Sequence, residues 1–376
     1  MDELEERLAR LRPAPAPEAI LARAKRGETA SPKRRFDVLI ALAAAGLLAG
    51  LVWVLAAPSE DPVLAGQELA AELKSVRHRI VCESNRDGNW ELYAMNADGS
   101  NPVNLTVTGE VDELYPKVSP DGTKIVFCAD ETKGDSKVRN LYLMNVDGSG
   151  RRKIADNSRE PCWKADSSAV AYLPAEFEAF NMADFVTKGL RIFDLPSGKT
   201  RDHPNAKLHH LYTLNWTPDG KWFVSTVHGG MGFKHNILAI EAEGEGVFDL
   251  GLSGCRPDVS PDGKRIAWGH GDYAVGVADV DFSVSPPKAS NIHNVMESKD
   301  PVETYHCDWS PDGKYIAFSY GPKKKGKNLK GLLPEFPGVD APDWNIGVCD
   351  ANGTSKFTLV TKDGKSFKEP DWIFVK

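Results

Sequence analysis

Ser260–Trp268 reads SPDGKRIAW, a tight turn followed by a short strand. Proline fixes φ in the turn, aspartate bonds nearby backbone, and glycine takes the positive φ that closes it. Near copies are SPDGTKIVF from Ser119, TPDGKWFVS from Thr217 and SPDGKYIAF from Ser310. The same turn returning along one chain is the mark of a repeat.

Adding the residues before the turn extends the series. It becomes YPKVSPDG from Tyr115, EPCWKADSS from Glu160, TLNWTPDG from Thr213, RPDVSPDG from Arg256, HCDWSPDG from His306 and EPDWIFVK from Glu369. A second series of strand and turn runs beside it: LYAMNADGS from Leu92, LYLMNVDGSG from Leu141, RIFDLPSGK from Arg191, ILAIEAEGE from Ile237, VGVADVDFS from Val275 and IGVCDANGT from Ile346. The unit is therefore four short strands, A to D. One such sheet cannot bury both faces, and packing sheet on sheet does so. The fold predicted is all-β: a six-bladed propeller of four-stranded antiparallel blades. The first unit, from Arg79, lacks strand A, and the last supplies only strand A. Joining them closes the ring and removes its open edges.

These motifs resemble the repeats of TolB-like propellers, which read PxWSPDGxxIAF…IYxMNxDGSxxRxLT. The resemblance runs from Arg79 to Lys376, and YPKVSPDGTKIVF…NLYLMNVDGSGRRKI is a near-complete match. Blade three departs, with KADSSAVAY from Lys164 in place of the usual turn, so a longer or looser turn is expected there. The resemblance implies an exported bacterial propeller that recognises other proteins, and it transfers no catalytic set. Such repeats also gate the hydrolase domains of some peptidases, but this sequence contains no GxSxG.

The first 35 residues carry a net charge of +3, which leaves −10 on the remainder of a chain whose net charge is −7. An acidic main domain is a poor match to nucleic acid, which needs phosphate-neutralising cations. Val38–Ala57, VLIALAAAGLLAGLVWVLAA, is apolar and long enough to span a bilayer as a helix. Lys33, Arg34 and Arg35 precede it, so its N-terminal side belongs in the cytoplasm. A cleaved signal peptide is the rival reading, but Leu55 and Ala57 supply only half of an A-x-A site. The organisation expected is a cytoplasmic tail (1–35), a transmembrane helix (36–57), a linker (58–75) that turns helical at its end, and a propeller (76–376). The bacterial inner membrane would then hold a single-pass anchor, with the propeller in the periplasm or outside. Six cysteines without a CxxC or a close pair read as small buried side chains.

Alternating strands put the A–B and C–D turns on one face and the D–A and B–C loops on the other. The B–C segments Ala129–Arg139, Pro174–Gly189, Val227–Asn236 and Tyr320–Asn345 read as long, irregular loops. Variable loops on a rigid scaffold carry binding, so a protein or envelope polymer is expected on this loop face. His209, His210, His228, His235, His270 and His306 map near it, as a polar recognition surface or, less simply, a metal or acid–base site. No HxH or HExxH spacing supports metal.

A second set is the middle residue of each strand A: Lys117, Cys162, Asn215, Asp258, Asp308 and Asp371. Strand A is innermost, so these side chains can ring the channel, where three carboxylates suit a hydrated divalent cation or simply bond water and strand ends. No other cofactor is implied. The residues that follow them, Val118, Trp163, Trp216, Val259, Trp309 and Trp372, read as inter-blade core. Gly321–Gly331, GPKKKGKNLKG, is a basic loop that suits an anionic partner or solvent. Three functions follow: a non-enzymatic binding propeller; a metal-assisted lyase or hydrolase on sugars or lactones; and a sensor whose tail, Met1–Arg35, meets a cytoplasmic regulator.

Overall fold

The protein is described here from a computed structural model, which covers residues 62–178, 183–322, 343–353 and 356–376. The expected tail and membrane span, and most of the basic loop, lie outside these residues. Among the described residues no helix is long and apolar enough to cross a membrane.

One helix, α1 (Pro62–Leu73), precedes the strands. Blade one begins with β1 (Arg79–Ser84), β2 (Glu91–Asn96) and β3 (Val103–Asn104). Blade two is β4 (Asp112–Val118), β5 (Lys124–Lys133), β6 (Ser136–Asn145) and β7 (Arg152–Ala155). Blade three is β8 (Ser158–Trp163), β9 (Ala169–Pro174), β10 (Arg191–Asp194) and β11 (Lys199–Asp202). Blade four is β12 (Leu211–Trp216), β13 (Trp222–Gly230), β14 (Phe233–Glu241) and β15 (Val247–Asp249). Blade five is β16 (Cys255–Val259), β17 (Arg265–Gly269), β18 (Ala274–Asp281) and β19 (Lys288–Glu297). Blade six is β20 (Val302–Trp309), β21 (Tyr315–Pro322), β22 (Asn345–Asp350) and β23 (Phe357–Leu359). The last strand, β24 (Phe367–Ile373), pairs antiparallel with β1 and completes blade one.

This is the six-bladed propeller expected, closed by the shared blade. The innermost strands β24, β4, β8, β12, β16 and β20 each contact the next around the axis. The core lies between blades. Trp268 and Trp222 of blades five and four share one apolar cluster with Ile237 and Ile266. Trp372 packs with Ile80, Tyr315 and Ile346 between blades one and six. Truncating one such buried aromatic costs about 3–5 kcal/mol.

Three local expectations change. The blade-three turn is not longer: Lys164 N donates to Ala169 O and Ser167 N to Lys164 O, both at 2.9 Å. The same bonds in blade two join Ser119 to Lys124 and Gly122 to Ser119. Ser167 takes the glycine's place at φ 59°. Two of the irregular loops are strands instead: β5–β6 and β13–β14 pair out to Lys133↔Ser136 and Gly230↔Phe233. Their polar residues hid ladders that need only backbone. Finally, α1 packs on the propeller, burying Leu69 and Leu73 beside Tyr315 and Val348. Their i, i+4 spacing puts both on one helix face.

Candidate functional site

Every innermost strand is broken at the same place. Its pairing skips two residues, between Leu114 and Lys117, Arg159 and Cys162, Tyr212 and Asn215, Cys255 and Asp258, and Tyr305 and Asp308. In β24 the break lies between Lys368 and Asp371. The first skipped residue is Tyr115, Glu160, Thr213, Arg256, His306 or Glu369, and all six have φ between 50° and 57°. Left-handed non-glycine residues cost about 1 kcal/mol or more each, so the rest of the fold must enforce them. Neighbouring side chains take up the freed N–H groups. Tyr115 N donates to Glu83 Oε2 at 3.0 Å, Thr213 N to Glu160 Oε2 at 2.7 Å, and Arg256 N to Thr226 Oγ1 at 3.0 Å. A bulge re-aims side chains, and here it stacks two rings along the channel.

The ring nearer the A–B turns holds Lys117, Cys162, Asn215, Asp258, Asp308 and Asp371, as the sequence series implied. They line a cavity of about 360 Å³ that opens between Pro120, Pro218, Pro261 and Pro311 of the turns. Lys117 Nζ lies 2.7 Å from Asp308 Oδ2 and 3.6 Å from Asp371 Oδ2, so the chain's own ammonium sits among the carboxylates. Burial opposes that charge, but Asp308, Asp371 and Asp258 hold Lys117 well above the usual lysine range. Burial and then its neighbour Asp308 push Asp258 up to about 8. These side chains also join blades. Asn215 Nδ2 donates to Pro257 O at 2.6 Å, Trp309 N to Asp258 Oδ2 at 2.8 Å, and Val118 N to Asp371 Oδ2 at 3.2 Å. Tryptophans bond back: Trp163 Nε1 to Lys117 O at 2.8 Å and Trp372 Nε1 to Asp308 O at 3.2 Å.

The second ring is the set of bulge residues, around a cavity of about 30 Å³. His306 Nε2 lies 2.6 Å from Glu369 Oε1 without hydrogen-bond alignment. Burial, then Arg256, hold His306 well below the usual histidine range. Burial pushes both Glu160 and Glu369 up to about 7. Asp184, from the segment between β9 and β10, reaches this ring. Its carboxylate takes Arg256 Nη2 at 2.6 Å and the Tyr115 hydroxyl at 3.0 Å. Burial works against the charge, yet Arg256, Arg139 and Arg159 hold Asp184 below the ordinary value.

The histidines divide. His209, His210, His228 and His235 gather at the loop-face end of blade four. Phe185 stacks on His228 at 4.2 Å, Tyr212 Oη is 2.7 Å from His235 Nε2, and His210 Nε2 is 3.1 Å from Glu176 Oε2. His270 stands apart, bonded through Nδ1 to Asn294 Oδ1 at 2.8 Å, and His306 belongs to the channel. Among the described residues no group of three or more His, Cys, Asp or Glu side chains is placed to hold a metal ion. All six cysteines are unbridged, and all but the half-buried Cys255 are buried.

Sequence reasoning passed over Tyr115, Glu160, Thr213, Arg256, Glu369 and Asp184. The first five, with His306, open each strand-A motif, so the signal lay two positions before the residues chosen. Asp184 carries no such signal.

No protein-family model matches the chain. A 96-residue stretch is 36% identical to a protein TolB homolog of Chlorobaculum tepidum, covering 24% of this chain and 20% of that one. A 64-residue stretch is 36% identical to dipeptidyl-peptidase 5 of Porphyromonas gingivalis, covering 16% and 9%. The chain thus matches about a fifth or less of the length of these curated relatives. Among solved structures, TolB from Acinetobacter baumannii aligns with a TM-score of 0.57 at 17% identity, over 79% of this chain and 66% of that one. Hydrazine synthase of Kuenenia stuttgartiensis aligns with a TM-score of 0.54 at 14% identity, over 83% and 48%. These likenesses show the fold: a six-bladed propeller of the kind found in TolB.

Proposed function

We propose that the protein is a non-enzymatic recognition propeller that seats a segment of a partner protein in the turn-face cavity. One contrast carries this reading. The groups with acid–base character, Glu160, His306 and Glu369, enclose about 30 Å³, room for water and not for a substrate. The larger cavity of about 360 Å³ presents tryptophan and proline walls above a carboxylate ring. Apolar walls with a few convergent polar groups are the usual make-up of a binding site. The likeness in fold to TolB supports the same reading. It differs from the sequence expectation in the face used, since the open cavity lies on the turn side. An enzymatic reading gains little, because His270 and His306 stand apart from the blade-four histidines. Under this reading no cofactor is needed, and attachment through Val38–Ala57 would hold the propeller at a membrane.

Phe374 lines the cavity and is half-buried, so a photo-crosslinking amino acid there reports on an occupant. The full chain carrying it should form a discrete adduct in extracts of the source cell. The same label at Ile292, which is exposed on β19, should not. Identical adducts from both positions, or none from Phe374, would overturn the reading.

A further inference from the structure

Six positions wall the mouth of the turn-face cavity: Pro120, Ala165, Pro218, Pro261, Pro311 and Phe374. The first five belong to A–B turns, where the chain runs on into strand B and the turn closes on its own backbone. Ser119 N donates to Lys124 O and Ser310 N to Tyr315 O, both at 2.8 Å. Phe374 stands where the proline of a sixth such turn would be, since EPDWIF from Glu369 aligns with YPKVSP from Tyr115. Blade one, however, pairs β24 with β1 from far away in the sequence, so no turn joins the two strands. The sixth wall is held by side chains instead.

The hold is His78, in the connector between α1 and β1. Val375 N, beyond the ladder of β24, donates to His78 Nδ1 at 3.2 Å. The imidazole also lies against the Phe374 ring, with centroids 5.6 Å apart and planes 31° apart. The Phe374 backbone passes so close to the blade-two turn that a Cβ on Gly122 would sit 2.2 Å from Phe374 O. One residue further on, Lys376 O accepts from Arg77 Nη2, which keeps the tail tethered whatever His78 does. An Nδ1 that accepts is a neutral imidazole with its proton on Nε2. A second proton turns that acceptor into a donor facing a donor, and the bond is lost. Burial holds His78 below the usual histidine value, against Asp312 of the blade-six turn and together with Arg77 and Lys314. The stability lent by the neutral ring is therefore complete above the unfolded value, and it is lost as pH falls through the folded one. Asp312 offers the protonated ring a counter-charge on another blade.

We propose that His78 is a proton-operated latch on the turn-face cavity: as an acceptor it holds Val375 and sets Phe374 as the sixth wall, and once protonated it releases that wall beside Pro120. The five walls built into turns do not respond. The latch rests on the binding reading only for its consequence, which is that a partner segment meets a complete wall at neutral pH and a breached one in acid.

The test reads the wall directly. The full chain carries a trifluoromethyl-phenylalanine label at Phe374, and its fluorine NMR signal is followed from pH ~8 to pH ~4.5. With His78 intact the signal should pass from one position to another along a one-proton curve, spread over about two pH units, with its midpoint below about 6.5. His78→Asn, which puts an amide oxygen that cannot titrate near the Nδ1 position, should keep the neutral-pH signal throughout. His78→Phe, which has no acceptor, should give the acid signal throughout, and if it does not fold the asparagine variant decides alone. A signal that does not move with His78 intact, or one that moves equally in His78→Asn, would overturn the proposal. No partner is present in this measurement, so the latch and the binding reading fail separately. A fluorine transition that establishes the latch, with no adduct from the photo-crosslinking label at any pH, would count against the binding reading alone.

Discussion

Replacing Lys117 with methionine takes the positive charge out of a ring of carboxylates, and the geometry sets the size of the effect. Its ammonium lies 2.7 Å from Asp308 and 3.6 Å from Asp371, which at an effective dielectric of ~20 gives attractions of about 6 and 5 kcal/mol. Most of this is offset, since desolvating each ion costs several kcal/mol. The lysine side chain is 26% exposed in the turn-face cavity, and screening there trims the gain further. The net loss expected for Lys117→Met at neutral pH is about 3–5 kcal/mol, the usual cost of orphaning buried charges. Its pH dependence is the sharper test. Burial already raises Asp258, Asp308 and Asp371, and without Lys117 all three rise further. A carboxyl raised in the folded state contributes stability below its unfolded value that is lost as pH climbs through the folded value. The variant should therefore match wild type near pH ~4 and fall away from it up to and beyond pH ~8. Urea unfolding followed by tryptophan fluorescence across that range measures both. A deficit that is flat with pH, or no deficit at neutral pH, would refute the account of the ring.

Glu160 is raised to about 7, by burial first and then by Asp184, so its contribution to stability is present below about 4.5 and lost through about 7. Glu160→Gln should then gain about 1–3 kcal/mol at pH ~8 and nothing at pH ~4, read from the same urea curves. Gly99 has φ 80°, and a Cβ there would lie 1.8 Å from Val360 O, whereas at Gly313, φ 69°, it would meet nothing within 4 Å. Gly99→Ala should lose at least about 2 kcal/mol and Gly313→Ala about 1 kcal/mol, so that the difference in unfolding midpoint measures the close backbone approach.

The blades and their closure were legible because strands repeat, and a repeated turn fixes the phase of every strand in its unit. Lys117, Asn215, Asp258, Asp308 and Asp371 came with them, since a fixed position in the innermost strand must face the axis. The second ring was hidden by the bulge. Strict alternation puts Tyr115 and Arg256 on the same face as Lys117 and Asp258 two along, so it was the left-handed step between them, and not their facing, that the residue types concealed. Tyrosine, glutamate and arginine give no hint of positive φ, unlike the glycine of the SPDG turn. Asp184 was illegible for another reason, because its place depends on how one variable segment folds over strands remote in sequence. The β5–β6 extension was missed because Asp130, Glu131 and Lys133 look like loop, although Asp130 is buried against Arg139 and only the end of the ladder, around Lys133, is exposed.

β24 supplies more than an edge to pair with. It brings Glu369 to the ring of bulge residues and Asp371 to the ring nearer the turns, so each ring is incomplete in charge until the circle is complete in backbone. Lys117 then lacks one of its two close counter-ions, and His306 and Arg256 lack their shared glutamate. An open ring is penalised twice, by unpaired strand edges and by cations with nothing opposite them. Closure is therefore proofread electrostatically: a foreign strand could satisfy the hydrogen bonds of β1, but without acids at these two positions it would leave the axis unneutralised.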